Sequence, residues 1–257
     1  MKPKITRYDG EQRFYEIEGV GKFPSVTTIL GVISKPFLVN WAKKQVALAI
    51  QPILQDLFDH KIKPKDLDVD AIIKMAKAKP KEIMEEAGDI GTQVHKKLEI
   101  LVKLKMENPN ITWELLVPPK SALLLNADPK VMSCVEAFLK WAIKVDFRPV
   151  ESELMVYSKS LCFAGTLDAV GLVNNVLSVV DFKSSNAFHE DMGLQISAYR
   201  HAYAEMNKKK KVSGMLILRL GKLDGDFEAI KINNPAKHLI AFRGALALWK
   251  WKQNLKQ

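Results

Sequence analysis

Cysteine is scarce. Cys134 and Cys162 are the two thiols in a chain of 257 residues, which excludes four-thiolate zinc or iron–sulfur sites within a single chain. For an intracellular chain, two buried thiols are a better reading than a disulfide. Long apolar runs are missing too: none approaches the roughly 20 residues that span a bilayer. The opening Met1-Lys2-Pro3-Lys4 leads into polar sequence instead of a hydrophobic signal core, so the expectation is a soluble, intracellular protein without membrane contact. Acid is in deficit. Lys plus Arg number 39 against 29 Asp plus Glu, a formal net charge of +10. That balance favours polyanionic partners, nucleic acid first and anionic membrane second, although a lysine-rich solvated surface gives the same count.

What remains has an ordinary globular make-up, 47% hydrophobic and 26% charged, with no repeat or low-complexity stretch. Residues 4–20 alternate around Asp9-Gly10 and predict a small hairpin. Ser25 opens a short helical segment, Val26 to Ile33. A longer helical pattern follows through Phe37, Trp41, Val46, Ile50 and Leu54, then a charged linker over 60–70 and a short helix from Val69 to Ala78. From Pro80, apolar residues at Ile83, Ala87, Ile90, Val94, Leu98 and Leu101 predict an amphipathic helix. Residues 107–119 hold three prolines and read as a loop. Asp128-Pro129 is a helix start, a capping carboxylate followed by proline at the first helical position. Strands are expected at Glu153–Ser158, Phe163–Val173, Val176–Ser184, Val212–Leu220 and Phe227–Ile232, with helices at Met192–Met206 and Ala236–Lys252. This order implies an α/β or α+β sheet covered by helices. The expected division is an N-terminal hairpin and helical subdomain over residues 1–79 and a core over residues 80–257.

Chemistry concentrates in Gly165-Thr166-Leu167-Asp168 and Asp181-Phe182-Lys183. If Asn174-Asn175 is the turn of a hairpin, Val173 pairs with Val176 and the count sets Asp168 opposite Asp181. Like charges in that relation are destabilising, and a divalent cation between them supplies a reason for both. Lys183 shares the face of Asp181, while Phe182 points away. An ordinary strand-end ion pair is the plainer account. Glu153 brings a third carboxylate on the preceding strand, but parity leaves Glu151 equally placed. His95, with Gly88 and either Gly91 or Thr92, lies along one helical stripe, where a histidine is either a ligand or a packed core residue. Gln195 and Tyr199 are one helical turn apart, which suits either a bound phosphate or exposed helix polarity.

Taken in order, Gly91-Thr92-x-x-His95, Glu153, Gly165-Thr166-x-Asp168, Asp181-Phe182-Lys183 and Gln195-x-x-x-Tyr199 resemble the RecB-like branch of the PD-(D/E)XK nucleases, over roughly Glu82 to Tyr203. Pro24-Ser25-Val26-Thr27-Thr28-Ile29-Leu30 resembles the N-terminal segment of its phage and mitochondrial members. The resemblance implies an α/β fold with a restriction-endonuclease-like core: a mixed β-sheet flanked by helices, behind an N-terminal helical subdomain. It also implies a metal-dependent DNA nuclease of two-metal type. Mg²⁺ or Mn²⁺ would be held by His95, Glu153, Asp168, Asp181 and the Phe182 carbonyl, with Asp168, Asp181, Glu153 and Lys183 as the catalytic set. Ser25, Thr27, Thr28, Thr92, Gln195 and Tyr199 would contact nucleic acid. Some relatives carry a four-cysteine iron–sulfur cluster, which two cysteines cannot supply. An exonuclease acting on DNA ends or single strands is the first reading. A flap endonuclease and a non-catalytic DNA-binding module stand as alternatives. The implied location is the cytoplasm, or that of a host cell for a phage protein.

Overall fold

A computed structural model describes residues 3–116, 127–185 and 187–255. These group into two compact units, Met1–Ile33 with Gly91–Gln257, and Ser34–Ile90. This partition differs from a division at 79/80. Helix α3, Val69–Glu107, runs unbroken through Pro80, where the sequence suggests a short helix and a fresh start. Proline costs a helix one hydrogen bond and a ring clash. The apolar stripe nonetheless continues through Ala76, Ile83, Ala87, Ile90, Val94 and Leu98 at helical spacing, and the helix follows the stripe.

In the larger unit the N-terminal residues form an antiparallel meander, β1 (Ile5–Tyr8), β2 (Phe14–Ile17) and β3 (Gly21–Pro24), one strand more than the hairpin expected. Helix α1, Val26–Leu30, follows at once. Ser25 caps it by accepting the Thr28 N–H at 2.9 Å. The second unit holds α2 (Pro36–Phe58), a 3-10 turn (Pro64–Asp66) and the first part of α3. Asp68 caps α3 by accepting from the Ala71 N–H.

Beyond α3 come the short α4 (Trp113–Leu116) and then α5 (Pro129–Lys144). Trp113 is buried and donates its indole N–H to the Phe147 carbonyl at 2.9 Å. Part of the proline-rich loop expected at 107–119 lies outside the described residues. Asp128 caps α5 by accepting from the Lys130 N–H, and Pro129 stands at its first position. The five-stranded sheet runs in the order β4 (Arg148–Ser158), β5 (Phe163–Val173), β6 (Val176–Lys183), β7 (Gly214–Leu220), β8 (Phe227–Lys231). The β6–β7 pair is parallel, crossed over by α6 (Glu190–Met206), and the other pairs are antiparallel. The last helix, α7, is Pro235–Asn254.

Both faces of the sheet are covered. On one, α1, α6 and α7 close a core containing Val26, Ile29, Leu167, Val170, Val179, Ile196 and Phe242. On the other, Phe138 of α5 meets Phe182 edge-on at 5.4 Å. The meander packs Tyr15, Ile17 and Phe23 around Ala164 of β5. Cys134 is buried and Cys162 exposed, and both are free thiols, so the expectation of two buried thiols holds for one. Cys162 sits in the β4–β5 turn with φ +58, where the chain is at the surface.

Candidate metal-centred active site

The hairpin register is the one the Asn-Asn turn dictates. Asn174 and Asn175 both have positive φ, +47 and +63, and pairing runs from Val173↔Val176 to Ala169↔Val180. The next count would be Asp168 with Asp181, and there the ladder stops. Asp168 Oδ2 instead accepts the backbone N–H of Phe182 at 2.6 Å. Leu167 and Val170 both belong to the core under α6, so the two-residue alternation breaks at Asp168-Ala169.

A second break lies alongside. Ser152 pairs with Ala169 and Leu154 with Leu167, so Glu153 is level with Asp168. Glu153 has φ +46, a left-handed conformation that costs a non-glycine residue roughly 1–2 kcal/mol. Two neighbouring strands are thus irregular at their acidic residues, and both side chains meet α3. His95 Nδ1 is 3.3 Å from Asp168 Oδ1 and 4.0 Å from Glu153 Oε1. Ligand atoms of His95, Glu153 and Asp168 all lie within 4.8 Å of one another. Glu151, left open by parity, pairs with Lys210 at 3.5 Å.

Asp181 stands beside this trio, near the C-terminal end of β6 with Lys183. Its Oδ2 is 2.7 Å from Lys183 Nζ, yet that approach is off hydrogen-bond direction, so a buried carboxylate oxygen has no aligned donor among the described residues. Lys183 donates to Gln195 Oε1 at 3.2 Å, and the Gln195 amide donates to the Tyr199 hydroxyl at 3.2 Å. These two residues therefore form a half-buried chain behind Lys183, not exposed helix polarity. Gly165 makes room for it: a Cβ there would lie 2.5 Å from the Tyr199 ring.

The electrostatics follow from this crowding. The negative charge of Asp168 draws His95 up to about 9 despite burial. Burial, then Asp168, push Glu153 up to about 7. Burial raises Asp181 to about 6 against the pull of Lys183. Asp168 is the exception: burial pushes it up, but His95, Lys183 and the Phe182 N–H together hold it below the ordinary range. Burial pulls Lys183 down, and Asp181 and Asp168 more than offset it, so its ammonium is held above its usual value. Carboxylates crowded until two resist ionisation, with an imidazole and an oxygen lacking an aligned donor, suit a hard divalent cation.

Residues 70–247 match the family described as the PD-(D/E)XK nuclease superfamily. The chain belongs to the PD-(D/E)XK nuclease superfamily. Its mixed five-stranded sheet between helices is the restriction-endonuclease-like arrangement expected for such a nuclease. No curated protein matches the chain. The crystal structure of SSO0001 is similar over 61% of this chain and 74% of that one, at 15% identity and a TM-score of 0.29, too low to carry any argument. Among the described residues no helix is long and apolar enough to cross a membrane.

Other residues singled out by sequence sit differently in this nuclease. Ser25 is buried and spends its hydroxyl on capping. Thr28 Oγ1 donates to the Arg13 carbonyl at 3.1 Å and accepts the Arg13 N–H at 3.0 Å, which ties α1 to the meander. Thr27 is exposed. Thr92 precedes His95 by three residues on α3. Sequence reasoning missed Tyr15, whose hydroxyl is 2.9 Å from Thr166 Oγ1, and Arg7, which lies in the field of Glu153. The alternation of the hairpin held the signal for Tyr15, but nothing local told which surface it would cover.

Proposed function

We propose that this nuclease hydrolyses DNA phosphodiesters with Mg²⁺ or Mn²⁺, as an exonuclease acting on ends or single strands. The observation that carries the reading is the convergence of His95, Glu153 and Asp168 beside the Asp181–Lys183 pair. The buried Asp181 carboxylate, paired with Lys183, and the hard oxygen-rich donor set fit a divalent ion. His95, Glu153, Asp168 and Asp181 would hold it, with the Phe182 carbonyl as a further ligand. Bound there, it supplies Lewis-acid stabilisation of charge on the phosphoryl oxygens.

The residues do the rest. Lys183 is kept cationic by Asp181 and aimed by Gln195, and its Nζ would stabilise negative charge that develops on the phosphate in the transition state. Tyr199 buttresses Gln195 from the buried side. The net charge of +10 favours a polyanionic substrate. A non-catalytic module would have no electrostatic need for crowded carboxylates with a half-buried lysine.

One panel tests this: circular and linear single strands and duplexes, incubated with Mg²⁺, Mn²⁺ or EDTA. Loss of linear but not circular DNA, abolished by EDTA, is the expected result. Cutting of circles or flaps would make it an endonuclease, and binding without cleavage would leave a DNA-binding module.

A further inference from the structure

The N-terminal meander adds a cation to the rim of the metal-suited cluster. Strands β1 and β2 pair Ile5 with Ile17 and Arg7 with Tyr15. Tyr15 and Ile17 are buried around Ala164 of β5, and Ile5 packs beside them. By two-residue alternation Arg7 shares this inward face with Ile5, so a charge stands where the pattern calls for an apolar side chain. The meander lies outside residues 70–247, the stretch that matches the family, so the family's motifs do not account for it.

Tyr15 fixes where that face sits. Its hydroxyl is 2.9 Å from Thr166 Oγ1, and Thr166 pairs with Met155 across β5 and β4. Asp168 and Glu153 each lie two residues beyond that pair in the same direction, about 7 Å along the strands. Arg7, beside Tyr15, is close enough for its charge and that of Glu153 to act on one another. Lys103 is also in that field, but it is paired with Glu99. Arg7 Nε donates to Asp9 at 3.0 Å, and Asp9 shares its one negative charge with Arg13, whose Nε is 2.6 Å away. The Arg7 side chain is 38% exposed, and among the described residues its terminal nitrogens make no hydrogen bond. Those ends form the fork that matches phosphate oxygens with paired donors. Crowded carboxylates alone would repel a phosphate. Lys183 offsets them on the Asp181 side, and Arg7 does so on the Glu153 side.

We propose that Arg7 binds the substrate phosphate at the metal cluster through its terminal nitrogens, so that the meander completes the active site. The proposal rests on the nuclease reading above, and its test separates the two.

The full-length protein is assayed with Mn²⁺ on bis(p-nitrophenyl) phosphate, a diester with a single phosphate. Arg7→Gln should lower kcat/KM about tenfold or more, for one lost charge-assisted contact. Its Mn²⁺ affinity should be unchanged or tighter, because a neighbouring positive charge is gone. A loosened meander would instead weaken the metal site. Arg13→Gln removes the other arm of the Asp9 grip, leaves Arg7 in place, and should hydrolyse the diester as the wild type does. Arg7→Lys can keep the ion pair with Asp9 but has no paired donors. It should show a smaller loss of the same kind, and it carries the test if Arg7→Gln does not fold. A labelled single-stranded oligodeoxynucleotide is then titrated with Ca²⁺, a hard ion that takes the same oxygen donors. There Arg7→Gln should flatten the slope of log affinity against log salt by about 0.7, for one lost phosphate contact. Full diester activity in both Arg7 variants overturns the proposal. So does an unchanged salt slope, an equal fall in Arg13→Gln, or a fall accompanied by weaker Mn²⁺ binding. If the wild type hydrolyses neither the diester nor DNA while the salt slope still depends on Arg7, the nuclease reading alone fails.

Discussion

In residues 34–90 only Ala76 and Ile90 are buried, whereas β5 in the other unit buries seven of its eleven residues. Helix α2 has no buried residue and exposes Phe37, Val39, Leu48, Leu54 and Phe58. The charge divides as unevenly. Residues 34–90 hold ten lysines and nine acids, so +1 of the chain's net +10 resides there and +9 elsewhere. Lys43-Lys44 belongs to the near-neutral stretch, and the excess of positive charge lies in the unit with the metal-suited cluster. Sparse burial places residues 34–90 at the low-stability end of the molecule.

The sharpest way to break this contrast is a lysine from each unit. Lys183→Ala should lower turnover by about 10²–10³-fold, with DNA affinity little changed, because the interaction grows only in the transition state. Lys43→Ala should alter neither. Single-turnover kinetics beside anisotropy titrations check both, and equal losses of binding and rate for Lys183→Ala would make it a phosphate anchor.

Stability should divide in the same way. Phe138→Ala, inside the packing of α5 on the sheet, should cost about 3–5 kcal/mol. Phe58→Ala, 81% exposed, should stay within about 0.5 kcal/mol. Urea melts measure both, and a large loss for Phe58→Ala would mean that residues 34–90 are held by more than their own helices.

Metal should act on one unit. Mn²⁺ at a hundred times its dissociation constant should stabilise the wild type by about 2.7 kcal/mol. Hydrogen-exchange protection should rise around β5 and β6 and stay level in α2. Asp181→Asn removes a charge that the apo site resists, since burial already raises that carboxyl to about 6. The variant should be as stable as wild type in EDTA or more so, and should lose most of the metal gain. An apo variant clearly less stable, or an equal metal gain in both, would overturn the shared site.

The smallest effect expected is the pH slope of the metal-free protein. His95 at about 9, Glu153 at about 7 and Asp181 at about 6 all lie above their unfolded values. Each contributes stability in its protonated form, complete below the unfolded pKa and lost as pH rises through the folded one. Apo stability should therefore decline between about pH 5 and 9. Asp168, held low, opposes this only in acid, where its contribution is lost as pH falls below the carboxylate range. Mn²⁺ affinity should rise over the same interval, because His95 and Glu153 must give up protons to bind. Thermal melts and metal titrations across that range would show a flat profile if the groups were not so crowded.

Much of this was legible before any coordinates. Hairpin register followed from Asn174-Asn175, because two adjacent left-handed positions suit few residues other than asparagine and glycine. The cap at Asp128-Pro129, the strands from β4 to β8 and the kinship of Asp181 with Lys183 are short-range consequences of periodicity. Pro80 misled because a proline penalty is local, while the apolar stripe that outweighs it extends along α3. Parity left Glu151 and Glu153 equal because alternation presumes regular backbone, and Glu153 at φ +46 is not regular.

By itself, then, the sequence determined the order of elements, the hairpin register and the residue types of the site, since each depends on neighbours a few positions apart. Tertiary structure alone decided which carboxylates meet. His95 and Asp168 are 73 positions apart and touch at 3.3 Å. The breaks at Glu153 and at Asp168-Ala169 turn two acids toward α3 and leave Asp181 with Lys183. Such irregular backbone persists only where surrounding packing over-determines it, and that packing comes from the sheet and helices as a whole.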